Sequence, residues 1–439
     1  VAKLLTIDEI LPLFLIIIFQ VLTVFISIIL VEILITFARH TQFMPSLKHP
    51  IYTIQFALLC LSSFLFSASF NMLVPELPAY LSSMGGAEYK GYIIGLFTIT
   101  AGIARPFSGK LTDKIGRVPV MAVGSLVCVV CGLLYPLLTT VAGFLWLRLF
   151  HGFSTGFKPT ATAAYVADIV PANRWGEAMG IHGLCFSTGL AIGPAIGSEL
   201  TERISINALF YCSSFIALLS IIILMNMKET IKKKESFNFS MLKMHRKELI
   251  ELRVLPGAFV TFLSYLSYGA ILTVISDWGT HLGVVNKGLF FMVFTISSLL
   301  IRFLSGKMSD RIGRVSIIKL SLFLLVIAMI MIARSDSAFF LMFSSAVYGV
   351  ATGMLSPAIT AWIVDLSHPE YRGKAIATMY IALEAGIGLG AFVAGALFIS
   401  DVTMIPLTFY VIGALTLLAL IYLQFIYKPA KVKDHAIES

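Results

Sequence analysis

Charge is what this chain has least of. Asp, Glu, Lys and Arg make up 13% of its 439 residues, against 58% hydrophobic ones. Soluble domains are about one quarter charged. So thin a supply cannot cover a water-facing surface of this size, and most of the surface must face lipid. Cysteine is scarce too. All five (Cys60, Cys128, Cys131, Cys185 and Cys212) lie inside apolar runs, where they read as small apolar filler. Even the Cys128-x-x-Cys131 pair has no further ligands beside it, so no metal site is expected. No Walker A sequence is present, so ATP does not drive the protein directly and no cofactor is implied. A clustered nucleophile and base are also missing, which argues against an enzyme. The formal charge is +9, but the basic residues share no single face or domain, so nucleic acid is not expected as a partner.

What the chain does have is apolar runs of about 20 residues, the length of helix that crosses a bilayer. Barrel strands would alternate in segments of about ten, so the expectation is an all-α polytopic membrane protein. One run covers 10–37. Twelve more begin near 51, 91, 117, 141, 176, 206, 255, 288, 315, 338, 374 and 403. The widest break, Lys228–Arg253, is basic and splits the twelve into six plus six. The expected layout is an extra hydrophobic helix in 1–45, a six-helix bundle in 46–227, a linker in 228–253, a second bundle in 254–427 and a tail in 428–439. The run at 10–37 is too long, and lacks the basic start, for a cleavable signal peptide. Lys and Arg of the short loops gather on one side, about five to one, which puts the linker and C-terminus in the cytoplasm and the protein in the cell inner membrane, expected to work as a monomer among lipid.

The two halves are copies. Arg105–Arg117 reads R-P-F-S-G-K-L-T-D-K-I-G-R and Arg302–Arg314 reads R-F-L-S-G-K-M-S-D-R-I-G-R. A constant offset of 197 residues also links Lys90 to Lys287, Gly152 to Gly349, Gly156 to Gly353, Asp168 to Asp365 and Gly193 to Gly390. Parallel repeats of this kind are built around a midplane site between the halves.

Gly109-Lys-Leu-Thr-Asp113-Lys-Ile-Gly116-Arg117 resembles motif A of the major facilitator superfamily, and Gly306–Arg314 is its second copy. Asp113 suits the positive end of a neighbouring helix, and Arg117 can bridge it to Asp168. The resemblance implies a conformational latch made of Gly109, Asp113, Arg117 and Asp168, with Gly306, Asp310, Arg314 and Asp365 in the second half. Arg148-x-Phe-x-Gly152-x-x-x-Gly156 is similar to motif B, whose arginine the family links to proton coupling. An arginine snorkelling to the interface is the other reading. Gly189-x-x-x-Gly193-Pro194-x-x-Gly197 resembles motif C, the antiporter motif, and has no full copy in the second half. Together these imply the major facilitator fold, two pseudo-symmetric six-helix bundles, in a drug:proton antiporter-like exporter. Its substrate would be a small amphipathic compound leaving as protons enter. Uptake or efflux of an organic anion on Lys158 and Arg148 is the alternative, and a channel or a lipid-binding membrane protein is a lesser one. Gly152-x-Ser154-x-Gly156 matches a hydrolase nucleophile elbow but sits within a membrane helix, not on a strand-to-helix turn.

The repeats differ at two charges. Lys158 has Leu355 as its counterpart, and Glu384 has Ser187. Each lies ten residues, about 15 Å, from a helix end, near the bilayer centre, where an ionisable group marks a functional site. Glu384 is the leading proton carrier, with Lys158 as its partner or the substrate's; a static pair is the alternative. Glu76 and Asp277, near the outer ends of the first and seventh helices, are further proton-coupling candidates. Tyr265, Tyr268, Tyr348 and Tyr380 are candidate cavity rings.

Overall fold

The computed structural model describes residues 53–171, 174–231, 234–238, 241, 250–368, 372–398 and 401–427, with backbone alone at 175–176, 303–307, 310–311 and 372. The expected helix in 1–45 and the tail in 428–439 lie outside the described residues. The described chain is helical. It runs α1 (Ile54–Asn71, continued by Leu77–Ser83), α2 (Lys90–Lys114), α3 (Arg117–Leu134), α4 (Val141–His151 and Phe153–Ile169), α5 (Trp175–Arg203) and α6 (Ile206–Met225). After the linker come α7 (Leu255–His281), α8 (Leu289–Ile312), α9 (Arg314–Ala333), α10 (Ala338–Leu366), α11 (Arg372–Phe398) and α12 (Ile405–Ile421). Each starts within about four residues of an expected apolar run, because a helix that satisfies its own backbone is the unit a bilayer admits. Nine spans among the described residues are long and apolar enough to cross on those grounds alone. The segments Lys90–Lys114, Val141–Ile169 and Leu289–Ile312 are not among the nine. They carry the charges discussed below.

The two halves pack alike. In the first, α1 packs on α5 and α6, α2 on α4, and α3 on α4 and α6. In the second, α7 packs on α11 and α12, α8 on α10, and α9 on α10 and α12. The halves meet along two symmetry-related seams, α2 with α11 and α5 with α8.

Glycine makes the close contacts. A Cβ at Gly189 would stand 2.6 Å from the Phe64 carbonyl oxygen, and one at Gly193 would stand 2.8 Å from that of Ala68. Gly197 meets Met72 in the same way. The motif C stripe is therefore the α5 face pressed on α1, as small residues four apart allow. Gly386 and Gly390 repeat the arrangement of α11 on α7. Gly152 breaks α4 where it meets the Phe97 carbonyl of α2, and Ser154 Oγ donates to the His151 carbonyl at 2.7 Å. Ser154 is thus a packing residue.

Candidate functional site: the seam between the halves

Along α2, Gly91, Gly95, Thr98 and Gly102 follow one another at helical spacing and face α11. Their neighbours there are Ala391, Phe392, Gly388 and the Glu384 side chain. The next turn of this face is Arg105. Its Nη2 donates to Glu384 Oε1 at 2.6 Å, and its guanidinium lies 4.4 Å from the centre of the Tyr380 ring. Both side chains are about nine-tenths buried, and Arg105 Nε has no hydrogen-bond partner. Arg105 is nine residues from the end of α2, about 14 Å by helical rise, so the ion pair lies deep in the membrane and joins the two halves.

The second seam carries the related contact. Arg302, the repeat counterpart of Arg105, directs Nη1 toward Ser187 Oγ at 3.5 Å, and Ser187 is the counterpart of Glu384. Arg302 is exposed although it stands in mid-helix, and Tyr380, itself 38% exposed, lies against Arg105 on the first seam. The space between the two seams is the candidate cavity.

Other candidates fall elsewhere. The expected partnership of Lys158 and Glu384 is not formed. Lys158 is fully buried inside the first half, between α1, α3 and α6. It donates to Ser125 Oγ at 2.9 Å, Ser62 Oγ at 2.9 Å and Ser220 Oγ at 2.5 Å, and lies 4.8 Å from the Phe66 ring centre. Equal depth did not imply a common face: the close approach of α3 at Gly124 turns Lys158 away from the cavity. Arg148 is buried as well. Its Nε donates to the Ile93 carbonyl at 3.0 Å, Nη1 donates to Tyr135 Oη at 3.3 Å, and the Phe97 ring centre is 4.6 Å away. It folds inward on α2, so the snorkelling alternative fails. Tyr348 packs in the core of the second half, 3.3 Å from Ser267 Oγ, whereas Tyr265 and Tyr268 pack toward the first half.

Glu76 and Asp277 sit where the halves close. Lys287 Nζ donates to Glu76 Oε2 at 2.8 Å, and Ser198 Oγ donates to Glu76 Oε1 at 2.8 Å. Lys90 Nζ donates to Asp277 Oδ1 at 2.8 Å. Lys90 and Lys287 are repeat counterparts, so two symmetry-related ion pairs cross between the halves at this end. At the opposite end the described ion pairs stay within one half or its linker. Arg117 bridges Asp113 at 2.7 Å and Asp168 at 3.0 Å, and Arg314 meets Asp365 at 3.3 Å. A Cβ at Gly180, Gly183 or Gly373 would meet nothing there within 4 Å. The protein is thus closed at the Asp277 end and open at the Asp113 end. Asp113 is 72% exposed and caps no neighbouring helix in this state. Gly109 faces only Thr160, and the side chain of Asp310 and the surroundings of Gly306 lie outside the described residues.

Sequence reasoning missed three groups. Arg105 and Arg302 were absorbed into the repeated motif, although the depth arithmetic applied to Lys158 would have placed both in mid-membrane. Glu229 was lost in a basic linker. Its carboxylate accepts from Arg117 N and Val118 N, each at 3.1 Å, and so caps α3.

The Major Facilitator Superfamily profile matches residues 59–255 and 257–439. A multi-drug resistance efflux pump of Streptococcus pneumoniae is 28% identical over 319 residues, covering 70% of this chain and 79% of its own. A quinolone resistance protein of Staphylococcus aureus is 23% identical over 357 residues, 78% and 90% of the two chains. Among solved structures, the human organic anion transporter MFSD10 superposes with a TM-score of 0.64 at 19% identity, over 84% of this chain and 99% of that one. A D-xylose–proton symporter does so with 0.69 at 14%, over 85% and 97%. The chain is a multi-pass integral membrane transporter, not an enzyme, and it belongs to the Major Facilitator Superfamily.

Proposed function

We propose that the protein exports a small amphipathic organic compound in exchange for protons, with Glu384 as the proton-carrying group. The two halves, 46–227 and 254–427, rock about the central cavity. The basic-loop end, open in this state, is the cytoplasmic side of the inner membrane, so the structure is the inward-facing form that loads an exported substrate. The observation that carries this reading is the Arg105–Glu384 ion pair across the seam, at 2.6 Å and about nine-tenths buried. Protonation removes the Glu384 charge and releases Arg105, so one proton changes both the charge of the cavity and a contact between the halves. A bistable element biased by a local charge is what coupling requires. Efflux proteins among the relatives and the motif C stripe on α1 support the outward direction. The motif A network, intact within the first half, is the latch that engages the other half when the cytoplasmic end closes.

The test is transport in vesicles under an imposed pH gradient. Glu384→Gln is expected to abolish gradient-driven accumulation while keeping downhill exchange. Undiminished pumping by this variant would move the proton to another group, with Glu76 and Asp277 next to examine.

A further inference from the structure

The first seam carries a second feature at its Asp277 end, away from the Arg105–Glu384 pair. A cavity of about 450 Å³ lies there between the start of α2 and the last two turns of α11. Small-molecule sites occupy roughly 300–1,000 Å³. Gly91 and Gly395 line it where the two backbones touch, since a Cβ at Gly395 would stand 2.7 Å from the Gly91 Cα. Three rings line it as well: Tyr89 and Tyr92 from the first half, and Phe392 from the second. The centres of Tyr89 and Tyr92 are 5.8 Å apart and those of Tyr92 and Phe392 are 5.2 Å apart, both edge to face.

Among the described residues of the lining, Glu88 carries the only charge. Its carboxylate, by hydrogen bond and by charge, holds the neighbouring Tyr89 phenol above its ordinary pKa. Lys90, two residues on, does not neutralise it, because the Lys90 ammonium turns inward to Asp277 at 2.8 Å. The cavity therefore presents negative ring faces and one carboxylate. An anion would be repelled by both. A neutral apolar body would cover the rings and leave the carboxylate without a counter-charge. A metal ion would need several oxygen ligands, and one carboxylate does not supply them. An alkylated ammonium suits every wall: its charge is attracted by ring faces, and its methyl groups pack on them.

We propose that this cavity binds the alkylated ammonium head of an organic cation, held by the Tyr89, Tyr92 and Phe392 rings and the Glu88 carboxylate. The walls come from both halves. Opening the Asp277 end would part Gly91 from Gly395 and Tyr92 from Phe392, and so take the site apart. A ligand that binds one state better shifts the balance toward it, so an occupant keeps this end closed and slows the cycle. The site is independent of the compound in the central cavity. Its brake on the cycle rests on the rocking of the halves proposed above. The head can belong to a soluble cation or to a choline lipid, which share this chemistry.

Azidophenyl-trimethylammonium and azido-tert-butylbenzene, both para-substituted, have the same shape and differ in charge. The full protein in phosphatidylglycerol nanodiscs is photolysed with each, and the labelled peptides are mapped. The cation is expected to label 88–92 or 392–396 saturably, at a half-saturating concentration about tenfold or more below that of the neutral probe. Glu88→Gln and Tyr92→Leu alter exposed side chains, and each is expected to raise that concentration about 3- to 30-fold. Tyr92→Phe, which keeps a ring, is expected to retain most of the affinity. Equal labelling by the two probes, no labelling in these segments, or an unchanged concentration in both Glu88→Gln and Tyr92→Leu overturns the site. Phosphatidylcholine added to the nanodiscs names the source: competition assigns the site to a lipid head, and no competition to a soluble cation. In the dark, the cation supplied on the Asp277 side of vesicles is expected to slow transport over the concentrations at which it labels, with Tyr92→Leu shifting both alike. Labelling without slowing overturns the brake and leaves the site standing.

Discussion

The two ion pairs at the Asp277 end should hold that end of the protein closed. Each crosses between the halves at 2.8 Å, and each joins a buried group to one about one-fifth exposed, Glu76 to Lys287 and Lys90 to Asp277. At an effective dielectric constant of about 20, the gross attraction at this distance is roughly 6 kcal/mol per pair. Desolvation takes back most of it, leaving a net of about 1–2 kcal/mol for a partly buried pair. Neutralising both pairs completely, as Glu76→Gln, Lys287→Gln, Lys90→Gln and Asp277→Asn together, avoids stranding a lone buried charge. The closed form should then lose about 2–4 kcal/mol, which is about a 30- to 700-fold shift in the equilibrium. Spin labels at Ser83 and Val285 report on it, because both sites are exposed and lie at this end on opposite halves. The native cysteines are all buried. The parent protein is expected to give one short distance between labels, and the neutralised variant a second, longer population. An unchanged single distance in the quadruple variant would show that apolar contact at Gly91–Gly395 and Gly288–Pro194, rather than charge, keeps this end shut.

Other outcomes follow from the same geometry. Asp113→Asn is expected to reduce transport several-fold in a well-folded protein, and Asp310→Asn to reduce it less, as measured by vesicle uptake; wild-type rates would leave Asp113 a surface charge. Lys158→Met is expected to leave substrate KM unchanged, because its ammonium faces Ser62, Ser125 and Ser220 rather than the cavity, and a large KM change would place it in the substrate path. Gly197→Val should force α5 off the Met72 backbone and lower thermal stability by about 1–3 kcal/mol equivalent, the usual cost of overpacking, read as a drop in melting temperature.

The helices were legible because a bilayer accepts few solutions: apolar runs marked twelve spans, nine of them long and apolar enough to cross by those measures alone, and the 197-residue repeat related the two halves. The Arg117–Asp113–Asp168 bridge was legible too, since i,i+4 spacing and the C-terminal end of α4 bring those charges together. Helix rotation was not. Lys158 and Glu384 have equal depth, but depth fixes height along a helix and says nothing about azimuth, which is set by packing at Gly124 and Gly102. The same limit hid the central pair. Arg105 belongs to a motif whose recognisable part lies in the following loop, and its partner is 279 residues away in sequence. Tyr348 and Tyr380 read alike as cavity rings in the sequence; one is core and the other borders the cavity, because helical faces decide it.

The central claim is that substrate and proton exchange at Glu384. Its most direct measure is the proton released when purified protein in weakly buffered detergent solution binds a compound that vesicles containing it are found to export. The account predicts release from the wild-type protein and none from Glu384→Gln even when the compound still binds. Binding without proton release at every pH tested between about 5 and 9 would contradict it.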